Sequence, residues 1–356
     1  MTRASDTSEP LREPDEVTPE WLTDVLRREG CLARGEVAGV RVALSRALVV
    51  SSVARLEVSY TAGAQGPARL FLKVSTPKVP AHFSRREVDF YKTVARASPE
   101  LPLVRCYDAA FSEHSGAAHL LLEDLMETHA QPPVPLPPSV RDCELAVESL
   151  ALLHARWWES PRLGVDIGTL TTEAGFEEIR ALLGKHLAGF ADFLGDRLLP
   201  QRLKTYERIL AGPMTPWRRM LRREGLTVTH GDAHWWNFLF PRDGSGPAVI
   251  FDWHLWHVDA PLKDLAYLIA LNWYPSRRAV FEQGLLRRYH ETLAGAGVAA
   301  YGWEACLRDY RVQIIRELFV PVWQWSSGLE PTHWWSSLER IWLAFEDLNC
   351  AELIES

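Results

Sequence analysis

The chain has 356 residues, of which 47% are hydrophobic, and this is enough to build sizeable cores in two domain-sized units. A net charge of −7 without a basic run argues against nucleic acid as a partner. The sequence has no run of eighteen apolar residues, which argues against a membrane span. The polar first residues lack the apolar segment of a secretory signal, and five cysteines without paired spacing are typical of reduced thiols. We therefore expect a cytoplasmic protein, with a disordered tail over residues 1–16.

The first structured element is predicted to be a helix over 18–28. Thr18 would be its N-cap, Pro19 its first helical residue and Gly30 its terminator. Residues from about Gly39 to Val74 alternate like strands, and the last of these strands carries a single lysine, Lys73. A lysine in such an apolar strand is costly unless it is paired.

Further elements follow in chain order. An amphipathic helix is expected over 83–91, after Pro80, and a strand over 119–125. The proline-rich segment 131–138 is the clearest linker, and helical periodicity returns over 143–158. The remainder of the chain is predicted to be mainly helical.

The most informative stretch lies at 230–237 and reads His-Gly-Asp-Ala-His-Trp-Trp-Asn. A carboxylate at Asp232 with an amide five residues later at Asn237 matches the spacing of a kinase catalytic loop, with Gly231 in place of the usual arginine. Asp232 is suited to orient an attacking hydroxyl and accept its proton. Asn237 is suited to bind a metal ion through oxygen.

A hairpin follows this loop. Two short apolar runs, 238–240 and 248–251, are joined by the turn-rich segment 241–247. The second strand would deliver Asp252 beside Asn237, so that both could bind Mg²⁺. The combination of Asp232, Asn237, the hairpin and Asp252 predicts phosphoryl transfer far more specifically than any one of these features.

These residues resemble the aminoglycoside phosphotransferase and choline kinase-like superfamily. The resemblance rests on 230–237, on Phe251-Asp252-Trp253 and on Pro261 with Asp264-Leu265-Ala266; the Leu153–Trp158 run is similar to the ecdysteroid kinase-like branch. It extends from about Val40 to about Trp273.

The resemblance implies an α+β, protein kinase-like fold with two lobes. Residues 17–125 would form a small β-rich N-lobe, and residues 126–356 a larger, mainly helical C-lobe with the catalytic hairpin. The enzyme would transfer the γ-phosphoryl group of ATP or GTP to a hydroxyl of a small molecule with the help of Mg²⁺. Lys73 would pair with Glu87, which matches the family's position better than the rival partner Asp89, and would contact the α- and β-phosphates.

Other residues receive roles only through the resemblance. Backbone groups from Glu123 to Leu125 would meet the nucleobase, and Ser51 and Ser52 would contact phosphate. His230 and Asp264 would support the catalytic loop, with Asp264 also predicted as the N-cap of the helix that follows it.

Two departures from the family pattern stand out. The segment 43–52, where kinases carry a glycine-rich loop over the phosphates, contains no glycine. Asp259-Ala260-Pro261 stands where the family usually shows Gly-Asp-Pro. A G-x-x-x-x-G-K-[ST] phosphate loop is absent from the sequence, which excludes a P-loop kinase.

The acceptor is the least defined part of the prediction. A protein substrate is not expected, because the gap between Asp252 and Asp264 is too short for an activation segment. Fifteen tryptophans, together with the lack of a dense acidic cluster in the C-terminal third, favour an uncharged or aromatic acceptor such as an antibiotic. Trp235, Trp236 and Trp256 are the candidate acceptor-binding residues.

Two other classes remain open. His230, His234, His254 and His257 have spacings that metal ligands use, which would suit a metal-dependent hydrolase. A non-catalytic kinase-like protein that binds a nucleotide or another ligand is the second alternative, and the missing glycines favour it.

Overall fold

The computed structural model describes residues 9–48, 51–76, 80–221 and 223–354. Contacts within the chain divide it into two compact units. The first comprises the described residues up to Gln131 together with Leu239–Trp256, and the second comprises Pro132–Phe238 with the described residues from His257 onward.

The first unit is built on a five-stranded antiparallel sheet with the order β1-β2-β3-β5-β4. The strands are β1 Val37–Ala47, β2 Ser51–Tyr60, β3 Arg69–Ser75, β4 Cys106–Phe111 and β5 Ala118–Glu123. Helix α1, Pro19–Arg28, packs its buried face against the sheet, and the resulting core includes Leu22, Leu26, Leu56 and Leu72. The alternation of apolar residues in 39–74 therefore reflects a sheet with one face on this core.

The predicted start of α1 is confirmed. The Thr18 side chain accepts a hydrogen bond from the Trp21 N–H at 3.2 Å, and Pro19 occupies the first turn. Gly30, just beyond the helix, has φ of +69°, a value that favours glycine.

The predicted disordered tail differs from the structure over its last residues. Leu11 is buried, and its N–H donates to His119 Nδ1 at 3.0 Å. Residues 14–16 form a short 3₁₀ turn. The chain therefore joins the core of the first unit before α1, while residues 1–8 lie outside the described part of the chain.

Helix α2, Ala81–Phe90, follows the sheet's third strand and continues into a π-helical turn, Tyr91–Ala95. The first unit is completed by a three-stranded sheet of order β6-β8-β9, made of His129–Ala130, Phe238–Pro241 and Val249–Ile250. The predicted hairpin is thus present as β8 and β9.

The division at residue 125 differs from the observed units, because the hairpin residues 239–256 belong with the first unit. His129 pairs with Pro241, and the Ile250 N–H donates to the Pro102 carbonyl at 2.9 Å. These backbone bonds attach the hairpin to the preceding segment of the chain.

The second unit is mainly helical, as predicted. It also contains a two-stranded antiparallel ladder of β7, Thr227–Thr229, and β10, His257–Asp259. A π-helical turn over Ala266–Leu271 extends α7. Its described helices are α3 Val140–Trp157, α4 Glu173–Leu194, α5 Pro200–Ala211, α6 Thr215–Arg218, α7 Leu262–Leu265, α8 Pro275–Gly295, α9 Trp303–Glu317, α10 Val320–Ser326 and α11 Pro331–Asp347. No helix among the described residues combines the length and hydropathy that a membrane span requires.

Candidate active site

Lys73 in the first unit contacts two carboxylates. Strand β3 alternates, with Leu72 and Val74 buried in the core, so that Lys73 projects from the other face. Its Nζ lies 2.8 Å from Glu87 Oε2 and 2.6 Å from Asp252 Oδ1. The ion pair with Glu87 predicted from the sequence is therefore present, and Asp252 is a second partner.

Glu87 and Asp252 stabilise the charged form of Lys73, and Lys73 stabilises the charged form of Asp252. Burial by itself lowers the pKa of Lys73, but the negative charges of Asp252 and Glu87 outweigh it and raise that pKa well above its usual range. Burial raises the pKa of Asp252, but the charge of Lys73 and a hydrogen bond with His254 hold it well below the ordinary value. Lys73 is thus a cation and Asp252 an anion at neutral pH.

Asp252 has an unusual backbone conformation directly after the hairpin. Its φ is +67°, in the left-handed region, which aspartate enters more readily than most residues do. The next residue, Trp253, stacks on Phe90 of α2 with ring centroids 3.8 Å apart. His254 Nδ1 lies 3.0 Å from Asp252 Oδ1. The packing of Trp253 and the contact of His254 with the carboxylate therefore hold Asp252 in this position.

Trp256 has a structural position that argues against acceptor binding. It is buried, its Nε1–H donates to the Arg86 carbonyl at 2.6 Å, and its ring packs against Phe90. This corrects the expectation from sequence. Trp256 is close to Asp252 in the chain, but its ring packs against α2 and is not on an accessible surface.

In the second unit, Asp264 holds the start of the catalytic loop. Its carboxylate accepts hydrogen bonds from the backbone N–H groups of His230 at 2.7 Å and Gly231 at 2.9 Å. His154 of α3 contacts the same carboxylate through Nε2 at 3.2 Å. Burial raises the pKa of Asp264, but the hydrogen bond from His154 and nearby positive charge outweigh burial and bring that pKa to about 2.

The prediction of Asp264 as an N-cap is wrong. Helix α7 begins at Leu262, with Pro261 at the capping position, so Asp264 lies inside the first turn. The carboxylate is directed at the loop backbone rather than at its own helix. This geometry agrees with the supporting role that the resemblance implied.

Gly231 occupies the position where the kinase pattern has arginine. Its φ is +81°, a conformation that is strained for residues with a Cβ atom. Together with the Asp264 bond to its N–H, this conformation explains why glycine stands there.

Asp232 is fixed at both its main chain and its side chain. Its N–H donates to His230 Nδ1 at 3.2 Å, and its carbonyl accepts from Asn237 Nδ2 at 2.8 Å. Asn237 Nδ2 also lies 3.4 Å from Asp232 Oδ2. The Asp232 side chain keeps 15% of its surface exposed, so its carboxylate is positioned yet accessible.

Tyr267 was missed by the sequence reasoning. Burial, followed by the charge of Asp232 and a hydrogen bond with it, raises the pKa of Tyr267 well above the ordinary value. A tyrosine in an apolar helical run gives no sign of such a contact, which only the π-helical turn Ala266–Leu271 and the loop fold create.

His154 was seen only as part of a family-like run. Besides Asp264, it contacts the Tyr289 hydroxyl through Nδ1 at 2.9 Å, and it is fully buried. A histidine among the apolar residues of α3 could have signalled a buried polar network, but neither partner is near it in sequence.

The residues predicted to meet the nucleotide take up different positions in the first unit. Ser51 begins β2 and is buried, and its hydroxyl has no hydrogen-bond partner in the described chain, while Ser52 is partly exposed. Glu123 ends β5, and its N–H donates to the Arg105 carbonyl at 2.9 Å. The Leu125 carbonyl accepts from the His129 N–H at 2.8 Å.

The two tryptophans of the catalytic loop differ in environment. Trp235 is buried and stacks on Trp273, with centroids 5.3 Å apart and planes at 14°. Trp236 stays partly exposed beside His234. This corrects the expectation for Trp235, which fills the core of its unit, and leaves Trp236 as the candidate for acceptor contact.

The histidines considered as zinc ligands have separate partners. His230 Nδ1 accepts from Asp232 N–H, His257 Nε2 lies 3.0 Å from Asp259, and His254 contacts Asp252. Within the described ranges, no group of three or more His, Cys, Asp or Glu side chains is arranged to hold a metal ion. The hydrolase interpretation therefore gains no support from the described residues.

Comparison with known proteins decides the family. The model of the phosphotransferase enzyme family matches residues 52–303, which is more than half of the chain. The chain belongs to this family. It is a kinase-like, small-molecule phosphotransferase, as the resemblance implied. No curated protein sequence matches the chain with significance.

Several solved structures are similar to this phosphotransferase. A candidate aminoglycoside phosphotransferase from Ralstonia eutropha has a TM-score of 0.53 at 14% identity, over 94% of this chain and 97% of its own. The aminoglycoside phosphotransferase APH(3'')-Id of Streptomyces rimosus has a TM-score of 0.46 at 19% identity, over 83% and 97%. A candidate fructosamine-3-kinase from Haemophilus somnus has a TM-score of 0.49 at 14% identity, over 92% and 95%. The first of these matches supports the predicted kinase-like two-lobe fold, which is confirmed.

Proposed function

We propose that this phosphotransferase moves the γ-phosphoryl group of ATP or GTP, together with Mg²⁺, to a hydroxyl of a small acceptor such as an antibiotic. The observation that carries the proposal is Lys73, a cation with 15% of its side chain exposed that lies within 2.9 Å of both the Glu87 and Asp252 carboxylates. A buried lysine held by an αC-type glutamate and a metal-binding aspartate is the arrangement in which kinases bind triphosphates.

Lys73 is assigned the α- and β-phosphates. It is the cation that Glu87 fixes in place, and its charge would offset the negative charge of the nucleotide. Glu87 is buried, so its carboxylate holds the ammonium group and is not itself exposed to the substrate. Asp252, which now contacts the same ammonium, is assigned to the metal.

Asp232 is assigned the role of general base. As the acceptor oxygen forms its bond to the γ-phosphorus, the hydroxyl proton passes to the Asp232 carboxylate, and the bond from the γ-phosphorus to the β-phosphate oxygen breaks to release the nucleoside diphosphate. The hydrogen bond that the Asp232 N–H donates to His230 and the one that Asn237 donates to the Asp232 carbonyl fix the Asp232 backbone for this purpose.

Asn237 and Asp252 are assigned to Mg²⁺. Their donors are an amide oxygen and a carboxylate held ionised by its low pKa, which is the chemistry that Mg²⁺ prefers. When bound, the ion would neutralise charge on the β- and γ-phosphates.

The nucleobase is assigned to the backbone from Glu123 to Leu125. The Leu125 N–H makes no hydrogen bond within the described chain, whereas its carbonyl is bonded in the following turn. A free N–H after the last strand of the sheet can bind an acceptor atom of adenine or guanine. Either base is compatible with this contact, so the donor has to be measured.

The acceptor is assigned to the hydroxyl-bearing, uncharged or aromatic class. Trp236 supports this assignment, since it offers a partly exposed ring four residues from Asp232. The corresponding screen measures the binding of hydroxylated antibiotics. It begins with nucleoside, macrolide and sugar-containing compounds.

The first test is thermal denaturation with ATP or GTP, each with and without Mg²⁺. A ligand that binds only the folded protein at ~100 times its dissociation constant stabilises it by about 2.7 kcal/mol. A shift that depends on Mg²⁺ would identify the donor. The absence of a shift with either nucleotide would contradict the nucleotide site.

Activity is tested with matched carboxylate variants. We expect Asp232→Ala and Asp252→Asn to reduce phosphoryl transfer by about 10²- to 10⁴-fold, measured as nucleoside diphosphate release with the acceptor found in the screen. Asp243→Asn, in the exposed turn of the same hairpin, is the control and should keep wild-type turnover. Nucleotide binding without turnover in the wild type would instead favour the non-catalytic binding protein.

A further inference from the structure

The first unit contains a cavity of about 960 Å³ that none of the proposed catalytic residues lines. Its walls come from the C-terminal end of α1, the π-helical turn Tyr91–Ala95 with the residues after it, and strand β4. This volume is within the range of cavities that bind drug-sized ligands. The cavity is therefore large enough for a second ligand.

Two walls of the cavity are irregular. The π-helical turn interrupts the regular helix that begins with α2, and β4 has a register shift between Cys106 and Asp108 where it pairs with β5. Helical π turns and β-bulges are both over-represented next to functional sites. Here both irregularities meet at one cavity.

Two buried hydroxyls in these walls have no partner. Tyr91 is 4% exposed and Ser98 is 1% exposed, and neither hydroxyl forms a hydrogen bond with any described residue. Burial, followed by the charge of Glu87, raises the pKa of Tyr91 well above the ordinary value, so the phenol keeps its proton. Both oxygens are closed to solvent in this structure, so these hydroxyls lie in the packed part of the walls, and a ligand would meet the charged and aromatic side chains instead.

The charges at one end of the cavity favour an anion. Lys92 and Arg96 line it from one face of the helical segment, and Lys92 forms no salt bridge within the described ranges. Among the described residues, Arg96 pairs with the acid Glu29 at 3.8 Å, and because Arg96 is mostly exposed this pair contributes little. Arg105 adds a third cation at the start of β4, next to the ring of Tyr107.

The acids that line the cavity are already engaged. Asp108 pairs with Arg28 at 2.5 Å and with His119 at 2.8 Å. Glu113 pairs with Arg85 at 2.7 Å, and Glu9 lies 3.9 Å from Arg12 and accepts from the Ser112 hydroxyl at 3.2 Å. The four lining acids, Glu9, Glu29, Asp108 and Glu113, equal the lining cations in number, and each has an arginine within 4 Å. Lys92 and Arg105 are the lining cations that no acid pairs within the described ranges, so they are the charges best placed to meet a ligand.

The remaining wall is apolar and aromatic. Leu103, Tyr107 and Phe111 line the cavity along β4 and the segment before it. Flat apolar surfaces of this kind suit an aromatic ring, while the basic residues suit a charged substituent.

We propose that this cavity is a second binding site, for a small organic anion with an aromatic or apolar body, such as an aryl carboxylate, sulfonate or phosphate monoester. The anionic group would contact Lys92, Arg96 and Arg105, and the body would lie on the aromatic wall. The site is separate from the residues assigned to phosphoryl transfer and does not depend on that assignment.

The test is calorimetric titration of the full chain, with 1-naphthalenesulfonate as the probe. The uncharged 1-naphthalenesulfonamide and the small anion methanesulfonate are titrated in parallel. We expect stoichiometric binding of the sulfonate and binding at least roughly tenfold weaker for each of the other two, because each lacks one half of the recognised chemistry. Equal binding of the sulfonamide would overturn the assignment of an anion.

Variants locate the probe. Lys92→Glu with Arg96→Glu, and separately the cavity-filling Ala95→Phe, should each weaken sulfonate binding at least roughly tenfold. Lys185→Glu with Lys204→Glu makes the same charge change at exposed positions of the second unit and should leave the dissociation constant unchanged. Circular dichroism melting checks that each variant is folded. Unchanged binding in both folded cavity variants, or no binding by the wild type at ~1 mM probe, would overturn the proposal.

Discussion

At the scale of single residues, Lys73 matters most, because it neutralises two carboxylates at once. Lys73→Ala should leave the buried Glu87 and the partly exposed Asp252 without this counter-ion, which costs about 3 kcal/mol of folding free energy at most. It should also reduce kcat by roughly 10²- to 10³-fold through loss of the phosphate contact.

Urea unfolding and steady-state kinetics measure the two effects of Lys73→Ala separately. Lys204→Ala, at an exposed position in α5, is the control and should change neither. Unchanged kinetics in a folded Lys73→Ala enzyme would remove Lys73 from the active site.

Asp264 should give the stability of the protein a defined pH dependence. Its pKa is about 2 in the folded protein against 3.8 in the unfolded chain, so its contribution is present above pH 4 and is lost as the pH falls from about 4 to about 2. The difference corresponds to about 2 kcal/mol.

Urea unfolding of the wild type and of Asp264→Asn across this pH range measures that contribution. The variant should lose stability at neutral pH and show a flatter pH profile. In Asp264 one carboxylate oxygen accepts from the His230 N–H and the other from the Gly231 N–H, whereas in asparagine one of these oxygens is replaced by an NH₂ group, which cannot accept. Asp192→Asn, at an exposed position in α4, should follow the wild type. Parallel profiles for Asp264→Asn and the wild type would contradict the prediction.

At the scale of elements, helix α3 carries His154 and begins with a capping box. Ser139 Oγ accepts from the Asp142 N–H at 3.1 Å, and Asp142 Oδ2 accepts from the Ser139 N–H at 3.3 Å. Ser139→Ala should destabilise the protein by about 1 kcal/mol, while Ser139→Asn, also a good N-cap, should recover most of it.

Because the two residues bond reciprocally, Ser139→Ala combined with Asp142→Ala should cost less than the sum of the single variants. A double-mutant cycle in urea measures this coupling. Strict additivity would show that the box does not act as a unit.

At the scale of the whole molecule, the chain leaves the first unit after Gln131 and returns to it for residues 239–256. A fragment of residues 9–131 would lack β8 and β9, the backbone bond from Ile250 to Pro102, and the stacking of Trp253 on Phe90. We expect this fragment to unfold without a sharp transition. The same fragment joined to 239–256 through a flexible linker should melt cooperatively, as followed by circular dichroism. Equal cooperativity of the two would show that the hairpin is dispensable.

Local signals in the sequence determined much of this protein. The helix signals around Thr18 and Gly30, the alternation that ends at Lys73, and the hairpin turn 241–247 all act over a few residues, so they can be recognised without the fold. The spacing of Asp232, Asn237 and Asp252 predicted phosphoryl transfer for the same reason, since the pattern spans only one loop and one hairpin.

Contacts between distant residues were decided only by the tertiary structure. Asp252, which contacts Lys73, lies 179 residues from it in the chain, and the His154–Asp264 contact spans 110 residues. The same applies to burial: Trp235 and Trp256 are close in sequence to the predicted site residues Asp232 and Asp252, yet their rings are buried because Trp273 and Phe90 pack against them. A sequence shows which side chains can form such contacts, but only the packed chain determines which of them meet.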